Sequence, residues 1–296
     1  MNKIVVENLY KKINRFTLSG VSFAVHDGEI FAIVGMTGSG KSTVTKILQN
    51  LSYQDSGKIY FDKSSYGMLV QEQEFYKNKT IFQTMLLYSK MYPQYISRSD
   101  IRNVLRIVGL YKKRYVKIKH LNVSRHARLK IALSIMRKPK VLILDDPFAF
   151  LSEYEARQIR IILRTLSDKF KTAILLTAND FSGIEEIFDT VAIIEGGEIV
   201  CIHTYNDLAK MTDKESKICI STPSPNLVAT EIQEKFKYET RLYNESDVIV
   251  NAHPDKAQEI CDYLYDKDIP VIETTRVNKS IQSLFHSLRT RTGEIS

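Results

Sequence analysis

Hydrophobic positions along this 296-residue chain change their period several times. Apolar runs at residues 30–34, 141–144 and 172–177 have the length of strands that are buried on both faces. Between these runs, apolar residues recur every three or four positions, which predicts amphipathic helices. Buried strands that alternate with helices are typical of a parallel, doubly wound α/β sheet.

Two further patterns surround and interrupt the predicted sheet. Residues 3–8 and 18–25 alternate between apolar and polar, and Asp27-Gly28 follows them as a turn signal, so we expect an antiparallel β piece at the start. Residues 80–110 and 124–136 have helical spacing. They predict a helical insertion, which we place at about residues 73–138.

The pattern restarts after a polar break at residues 211–216. Its order is strand, helix, strand, strand, helix, strand, with the second strand at 238–243 and the last at 270–273, and a closing helix follows at 280–288. We therefore predict one domain over residues 1–213 and a small α+β domain over residues 214–296. Without a titratable cluster, this second domain is interpreted as an accessory or dimerisation module.

Composition narrows the class of protein. A hydrophobic content of 44% is enough for one sizeable core and a smaller second one. The sequence has no apolar run of about 18 residues, so neither secretion nor a membrane span is expected, and we predict a cytoplasmic location. Three cysteines lie far apart without metal-ligand spacing, which favours reduced thiols.

The formal net charge of +8 favours anionic surfaces as partners. The densest basic run covers residues 111–120. A solvated loop is the commoner explanation of such a run. No nucleic-acid-binding motif accompanies it, so we do not expect a nucleic-acid partner.

One glycine-rich segment follows the first apolar strand and begins a helix. Its residues are Gly35, Met36, Thr37, Gly38, Ser39, Gly40, Lys41, Ser42 and Thr43. Glycines let backbone N–H groups converge on phosphate oxygens, and the helix N-terminus adds a positive dipole end. Lys41 provides a charge for the β- and γ-phosphates, and the Ser42 hydroxyl is a ligand for Mg²⁺. The segment predicts a phosphate loop that binds a nucleotide with Mg²⁺, a feature that kinases, GTPases, helicases and transporter motors share.

Further candidate groups lie at strand ends. Asp145 and Asp146 end the run at 141–144, where one carboxylate can hold Mg²⁺ and a second can polarise an attacking water. Gln71 ends another predicted strand and can reach the metal or the water, although a solvent-facing glutamine has the same pattern. Upstream, Phe16 or Tyr10 can stack on the base; packing against the small sheet is the commoner role of such rings.

Together these features resemble the ATP-binding subunit of a bacterial ABC transporter over roughly residues 1–210. Lys41 and Asp145 are separated by a helical insertion, as in that family, and residues 280–285 resemble the end of ATPases that export drugs, lantibiotics or peptides. The resemblance implies two ATPase subunits, identical or different, that sandwich ATP head to tail. Their closure drives a separate transmembrane permease, so this chain is expected as a peripheral protein on the cytoplasmic face of the membrane. It also gives Gln71 a role at Mg²⁺ and in coupling to the permease.

Four motifs depart from the family pattern. The signature segment falls on residues 121–125 and has lost both glycines, with Val123 in place of one of them. Asp146 replaces the catalytic glutamate, Asn179 replaces the switch histidine, and Ser152 replaces an aspartate of the following loop. The loop that binds ATP is intact, so we expect tight binding of MgATP and weakened hydrolysis. The alternative is a non-hydrolysing, ATP-dependent regulatory or structural subunit of a membrane complex.

Overall fold

The computed structural model describes residues 2–61, 66–69, 75–91, 95–149, 151–181, 183–214 and 217–277. The chain divides into two compact units, Met1–Tyr205 and Asn206–Ser296. The domain boundary predicted at 213/214 stays a prediction.

The first unit contains both sheets and the helical insertion expected from the sequence. Its elements, in chain order, are β1 (Asn2–Ile13), β2 (Phe16–His26), β3 (Ile30–Val34), α1 (Lys41–Leu48), β4 (Ser56–Phe61), β5 (Tyr66–Leu69), α2 (Ile81–Ser89), α3 (Arg98–Ile107), α4 (Val123–Ile135), β6 (Val141–Leu144), α5 (Glu153–Phe170), β7 (Ala173–Ala178), β8 (Thr190–Glu195) and β9 (Glu198–Thr204).

The central sheet has the strand order β5-β6-β7-β3-β8-β9. The first five of these strands are mutually parallel, and β9 is antiparallel to β8. Every residue of β3, β6 and β7 is buried, because each strand is covered on both faces. The mostly parallel α/β sheet is thereby confirmed, and its parallel strands end at one edge.

The antiparallel piece is also confirmed as a separate sheet with the order β2-β1-β4. Its inward side chains and those of β3 and α1 form one apolar cluster. In β2, buried residues such as Leu18, Val21 and Val25 are interleaved with more exposed ones, as expected for a sheet with one solvated face.

Side-chain caps determine where several helices begin. Thr80 and Ser97 form capping boxes at α2 and α3, which split the stretch predicted at 80–110 into two helices. The spacing of apolar residues in the sequence predicts a helix from Arg157 to Leu166. Ser152 forms another capping box with Glu155, so α5 begins earlier, at Glu153. One helix end also differs from the prediction: α1 ends at Leu48, and Asn50 adopts a left-handed φ of 57°. The sequence predicts that the helix after the phosphate loop ends near Leu51, and this predicted end is too late.

The second unit follows the predicted strand and helix order. Its elements are β10 (Lys217–Ser221), α7 (Pro225–Phe236), β11 (Thr240–Leu242), β12 (Asp247–Val250), α8 (Ala257–Asp266) and β13 (Glu273–Val277), and α6 (Tyr205–Lys214) precedes them across the division. The sheet is antiparallel, in the order β11-β12-β10-β13. Residues on α7 and α8 close its core with Ile218, Ile220, Val248 and Val250.

The last strand of this unit was predicted too early, at 270–273. Ile269 is buried in the core, whereas Ile272 is 72% exposed. The start of this apolar run therefore packs into the core, and the run does not pair as a strand along its whole length. Pairing with β10 begins at Glu273, opposite Ser221. The second strand is also shorter than the predicted 238–243. The helix predicted at 280–288 lies outside the described residues.

In the part of the chain that the structure describes, no helix is both long enough and apolar enough to cross a bilayer.

The Ser152 cap gives a stability test. We expect Ser152→Ala to lower the free energy of unfolding by about 1 kcal/mol, because the hydroxyl that accepts from the Glu155 N–H is lost. Urea denaturation measures the difference. Ser152→Asp is the matched control, since aspartate caps a helix equally well and should retain the stability. Equal losses in both variants would contradict the capping role.

Candidate functional site

The phosphate loop joins β3 to α1, and its glycines satisfy specific steric demands. Gly40 caps α1 with a φ of 110°, and a Cβ there would lie 2.9 Å from Cζ of Phe16. A Cβ on Gly35 would lie 2.2 Å from the carbonyl oxygen of Ile194. Gly38 has a φ of 86° in open space. Side chains at these positions would strain or displace the loop, so the loop shape depends on glycine.

A cavity of about 440 Å³ lies against this loop. It is lined by Ile13, Phe16, Thr37, Gly38, Gly40, Lys41, Ser42, Thr43, Asp145, Asp146, Thr177 and Asn179. Most of the predicted site residues therefore converge on one cavity. Gly35, Met36 and Ser39 of the loop are not among the lining residues, and Gln71 lies outside the described residues.

Lys41 is held close to the loop that it follows. Its side chain is buried, and Nζ donates hydrogen bonds to the carbonyl oxygens of Gly35 at 2.6 Å and Met36 at 2.8 Å. Burial lowers the pKa of Lys41, while the negative charges of Asp146 and Asp145 oppose that shift. The ammonium is thus positioned at the cavity wall between the loop and two carboxylates.

Asp145 accepts hydrogen bonds from two hydroxyls. Thr177 Oγ1 donates to Asp145 Oδ1 at 2.8 Å, and Ser42 Oγ donates to the same oxygen at 3.4 Å. Oxygen donors of this kind suit Mg²⁺, which is usually bound by one or two carboxylates together with water and phosphate oxygens. The pair Ser42 and Asp145 therefore fits the predicted metal role.

Thr177 was missed by the sequence reasoning. Its fully buried hydroxyl also accepts a hydrogen bond from the Asp146 backbone N–H at 2.9 Å, so it contacts both aspartates. Its position at the carboxyl end of β7, beside β6 in the sheet, was the available signal. A polar residue that ends an otherwise apolar strand at the same sheet edge as Asp145 is a candidate for this reason.

Asp146 and Asn179 form a direct pair. Asn179 Nδ2 donates to Asp146 Oδ2 at 3.0 Å, and Asp146 itself has a left-handed φ of 43°. Burial, chiefly, and the neighbouring Asp145 charge raise the pKa of Asp146, whereas Lys41 and the hydrogen bond from Asn179 lower it. The carboxylate is therefore held by an amide that cannot itself titrate.

The β1–β2 hairpin supplies the apolar wall of the cavity. Ile13 and Phe16 are register partners, and both line the cavity, whereas Tyr10 is not among the lining residues. Phe16 was predicted as a base-contacting residue, and Ile13 was missed because it lies beyond the alternation predicted at residues 3–8. The two side chains offer an apolar surface to a planar base.

Two of the departing positions act as helix caps. Asn122 caps α4, and its Oδ1 accepts from the Arg125 N–H at 3.0 Å. Val123, the first residue of α4, is 54% exposed, so its side chain projects from the helix start. Ser152 caps α5 as described above. Asn122 and Ser152 therefore stabilise the starts of their helices, at positions where the family described above has other residues.

The Asp146–Asn179 pair predicts a pH effect. Removing the amide with Asn179→Ala deletes a hydrogen bond that lowers the pKa of Asp146, so that pKa should rise further. We predict that the deprotonated Asp146 polarises the attacking water, so the acid limb of the pH profile of turnover should move to higher pH.

Two measurements check this shift. The pH profile of phosphate release, corrected with a Lys41→Ala blank, reports the limb, and the carboxyl chemical shift of Asp146 reports the pKa directly. Asp168→Asn, an exposed change outside the cavity, is the control and should leave both unchanged. An unmoved Asp146 titration in Asn179→Ala would contradict the pairing.

Comparisons with known proteins agree with this geometry. The sequence family described as ABC transporter matches residues 18–149. The lantibiotic transport ATP-binding protein SrtF of Streptococcus pyogenes is 30% identical, and the match covers 68% of this chain and 90% of that protein. The bacitracin transport ATP-binding protein BcrA of Enterococcus faecalis is 27% identical over 74% of each chain. The ADP conformation of MJ1267, described as an ATP-binding cassette of an ABC transporter, shares the fold at a TM-score of 0.63 and 21% identity, covering 69% of this chain and 91% of that one.

A mostly parallel sheet with a phosphate loop, a strand-end acidic pair and a helical insertion is the arrangement of an ATP-binding cassette. Because the match to SrtF is 30% identical and covers 68% of this chain, the chain belongs to the family of ABC transporter ATP-binding proteins. It is therefore an ATP-binding subunit and a member of an ATP hydrolase family. Subunits of this family dimerise and work with transmembrane permease components. The family expected from the sequence is confirmed.

Proposed function

We propose that this chain binds MgATP, couples ATP-driven closure of two ATPase subunits to a separate permease at the cytoplasmic face of the membrane, and hydrolyses ATP slowly. The Asp146–Asn179 hydrogen bond beside Lys41 carries this proposal. The cavity thus contains an intact phosphate loop next to an altered pair of proposed catalytic side chains.

Binding of ATP rests on the intact loop. Lys41 Nζ exchanges its two carbonyl acceptors for β- and γ-phosphate oxygens, and the first N–H groups of α1 add further donors. Ser42 and Asp145 hold Mg²⁺, with Gln71 as a further ligand by resemblance to the family. The metal, when bound, neutralises charge on the two phosphates. Phe16 and Ile13 contact the base.

Slow hydrolysis rests on two substitutions. The attacking water must lose a proton as its oxygen bonds to the γ-phosphorus and the bond to the β–γ bridging oxygen breaks. Asp146 is one methylene shorter than glutamate and is already held by Asn179, so its oxygens lie farther from that water. Asn179 donates a hydrogen bond but cannot take up a proton near neutral pH.

The partner's nucleotide is also affected. In a head-to-tail dimer the start of α4 faces ATP bound to the other subunit, and glycines there allow backbone N–H groups to approach the γ-phosphate. The exposed Val123 side chain hinders that approach. We infer that this chain works best with a second, competent ATPase subunit. In a homodimer, the start of α4 would face the other subunit's ATP in the same way. The C-terminal domain is proposed as an accessory or dimerisation module.

The cargo class follows from the named relatives. SrtF and BcrA are described as transporting a lantibiotic and bacitracin, respectively. We propose export of a peptide antibiotic or a similar drug through the permease. The membrane subunit selects the cargo, so this part of the proposal rests on relatives alone.

The decisive test restores the family residues. We expect Asp146→Glu combined with Asn179→His to raise the rate of phosphate release about tenfold or more, because a longer base and a titratable switch residue are returned. Steady-state assays use Lys41→Ala as the blank for contaminating ATPases. A double variant that binds ATP without any gain in turnover would contradict the proposed cause.

The alternative, a non-hydrolysing regulatory or structural subunit, is favoured specifically by Val123 at the start of α4. It predicts phosphate release no faster than the Lys41→Ala blank, with ATP binding retained. The same assay on the unmodified chain separates the two functions.

A further inference from the structure

Positive charge is concentrated in the helical insertion. Residues 73–138 include sixteen lysines and arginines and two acidic residues, Glu74 and Asp100. The formal net charge of the whole chain is only +8, so the remaining residues are net negative. Such asymmetry within one chain indicates a surface that meets an anionic partner.

The fold brings several of these lysines together. Residues before α2 run antiparallel to those before α4: the Ile118 N–H donates to the Lys79 carbonyl at 2.9 Å, and the Lys119 N–H donates to the Lys77 carbonyl at 3.1 Å. Ile118 is buried, and the lysines on either side of it extend to solvent. A 3-10 turn at Tyr111–Lys113 adds two more. We define the basic patch as the six exposed lysines Lys77, Lys79, Lys112, Lys113, Lys117 and Lys119.

Stacked side chains fix the backbone of this patch. The Arg114 guanidinium lies 4.3 Å from the ring centre of Tyr111 and 4.4 Å from that of Tyr115, and its Nη1 donates to the Tyr111 carbonyl at 2.9 Å. Arg106 lies 4.5 Å from the Tyr111 ring centre. These cation–π contacts hold two further positive charges beside the patch.

The charges of the patch are not neutralised within the described part of the chain. None of the six lysines forms an ion pair with a described carboxylate, and Asp100 contacts Lys138 instead, at 3.9 Å. Two tyrosines beside the patch are largely exposed, Tyr76 at 67% and Tyr115 at 68%. Tyrosine has an apolar ring and a polar hydroxyl, a combination that suits the headgroup level of a bilayer.

We propose that the basic patch, with Tyr76 and Tyr115, binds the anionic phospholipid headgroups of a bilayer directly. Subunits of this family work with transmembrane permeases, so the chain acts beside a membrane whose cytoplasmic leaflet is anionic. Each lysine near such a surface strengthens binding, and the tyrosines add interfacial contact. The chain would then reach the membrane by its own contacts as well as through the permease.

Vesicle binding tests this proposal with the purified full-length chain. We expect co-sedimentation with vesicles of phosphatidylcholine and phosphatidylserine, no binding to phosphatidylcholine alone, and release at high salt because exposed charges are screened. The variant Lys112→Glu, Lys113→Glu, Lys117→Glu, Lys119→Glu should bind anionic vesicles more than about tenfold less tightly. Tyr115→Ser should weaken binding without changing its salt dependence.

A matched control reverses four exposed lysines outside the helical insertion: Lys169→Glu, Lys210→Glu, Lys217→Glu, Lys235→Glu. It has the same net charge as the patch variant and should retain most of the binding. An ATP-induced rise in melting temperature verifies that both variants are folded and bind nucleotide.

Several outcomes would overturn the proposal. These are equal binding to neutral vesicles, absence of binding to anionic vesicles, and equal losses in the patch and control variants. Tighter binding of duplex DNA or RNA than of anionic vesicles at equal salt would assign the patch to nucleic acid instead. Because the readout is independent of ATP turnover, its failure leaves the proposed function unaffected.

Discussion

The hydrogen bonds of the Thr177 hydroxyl connect the two strand ends on which the site depends. It donates to the Asp145 carboxylate and accepts from the Asp146 N–H, and thereby fixes the end of β6 against the end of β7. On the other side of β7, the Gly35 N–H donates to the carbonyl oxygen of Ala178 at 3.3 Å. This hydrogen bond links the phosphate loop to the same edge of the sheet as the two aspartates. The loop, the acidic pair and Asn179 are thus held by three adjacent parallel strands.

This arrangement is the basis of our proposal that hydrolysis is weakened while nucleotide binding is retained. The phosphate loop depends on glycine conformation and on Lys41, and neither involves Asn179. The Asp146–Asn179 pair lies at the ends of β6 and β7 and can change while the loop retains its shape. Our account of tight binding with slow turnover follows from that independence. The basic patch belongs to a third region, the helical insertion, and acts on a different partner.

The sequence was most informative where burial is complete. The strands β3 and β6 have the predicted bounds. Both are covered on both faces, so all of their residues are apolar and the apolar run in the sequence has the same ends as the strand. The phosphate loop and Asp145 were likewise evident from residue type and order. Thr177 was missed because one hydroxyl at the end of an apolar strand is indistinguishable from a packed threonine until the strand order is known. Ile13 lines the cavity only through its register with Phe16, which alternation alone does not give.

Errors at element ends have local causes. The start of α5 was missed because its first turn has no apolar stripe, although Ser152 and Glu155 three residues later are a capping-box signal. The strand predicted at 270–273 failed because Ile269 enters the core while Ile272 is exposed, a distinction that composition does not make.

The most direct test of the central claim is the fate of ATP bound to an excess of the unmodified chain with Mg²⁺. Filtration measures the fraction of nucleotide that is bound, and rapid quenching of the same mixture measures the appearance of ADP. Our account predicts nearly complete binding followed by ADP formation far slower than the roughly 10 s⁻¹ of a typical enzyme. Conversion of bound ATP at that typical rate would show that Asp146 and Asn179 are fully competent and would contradict the account.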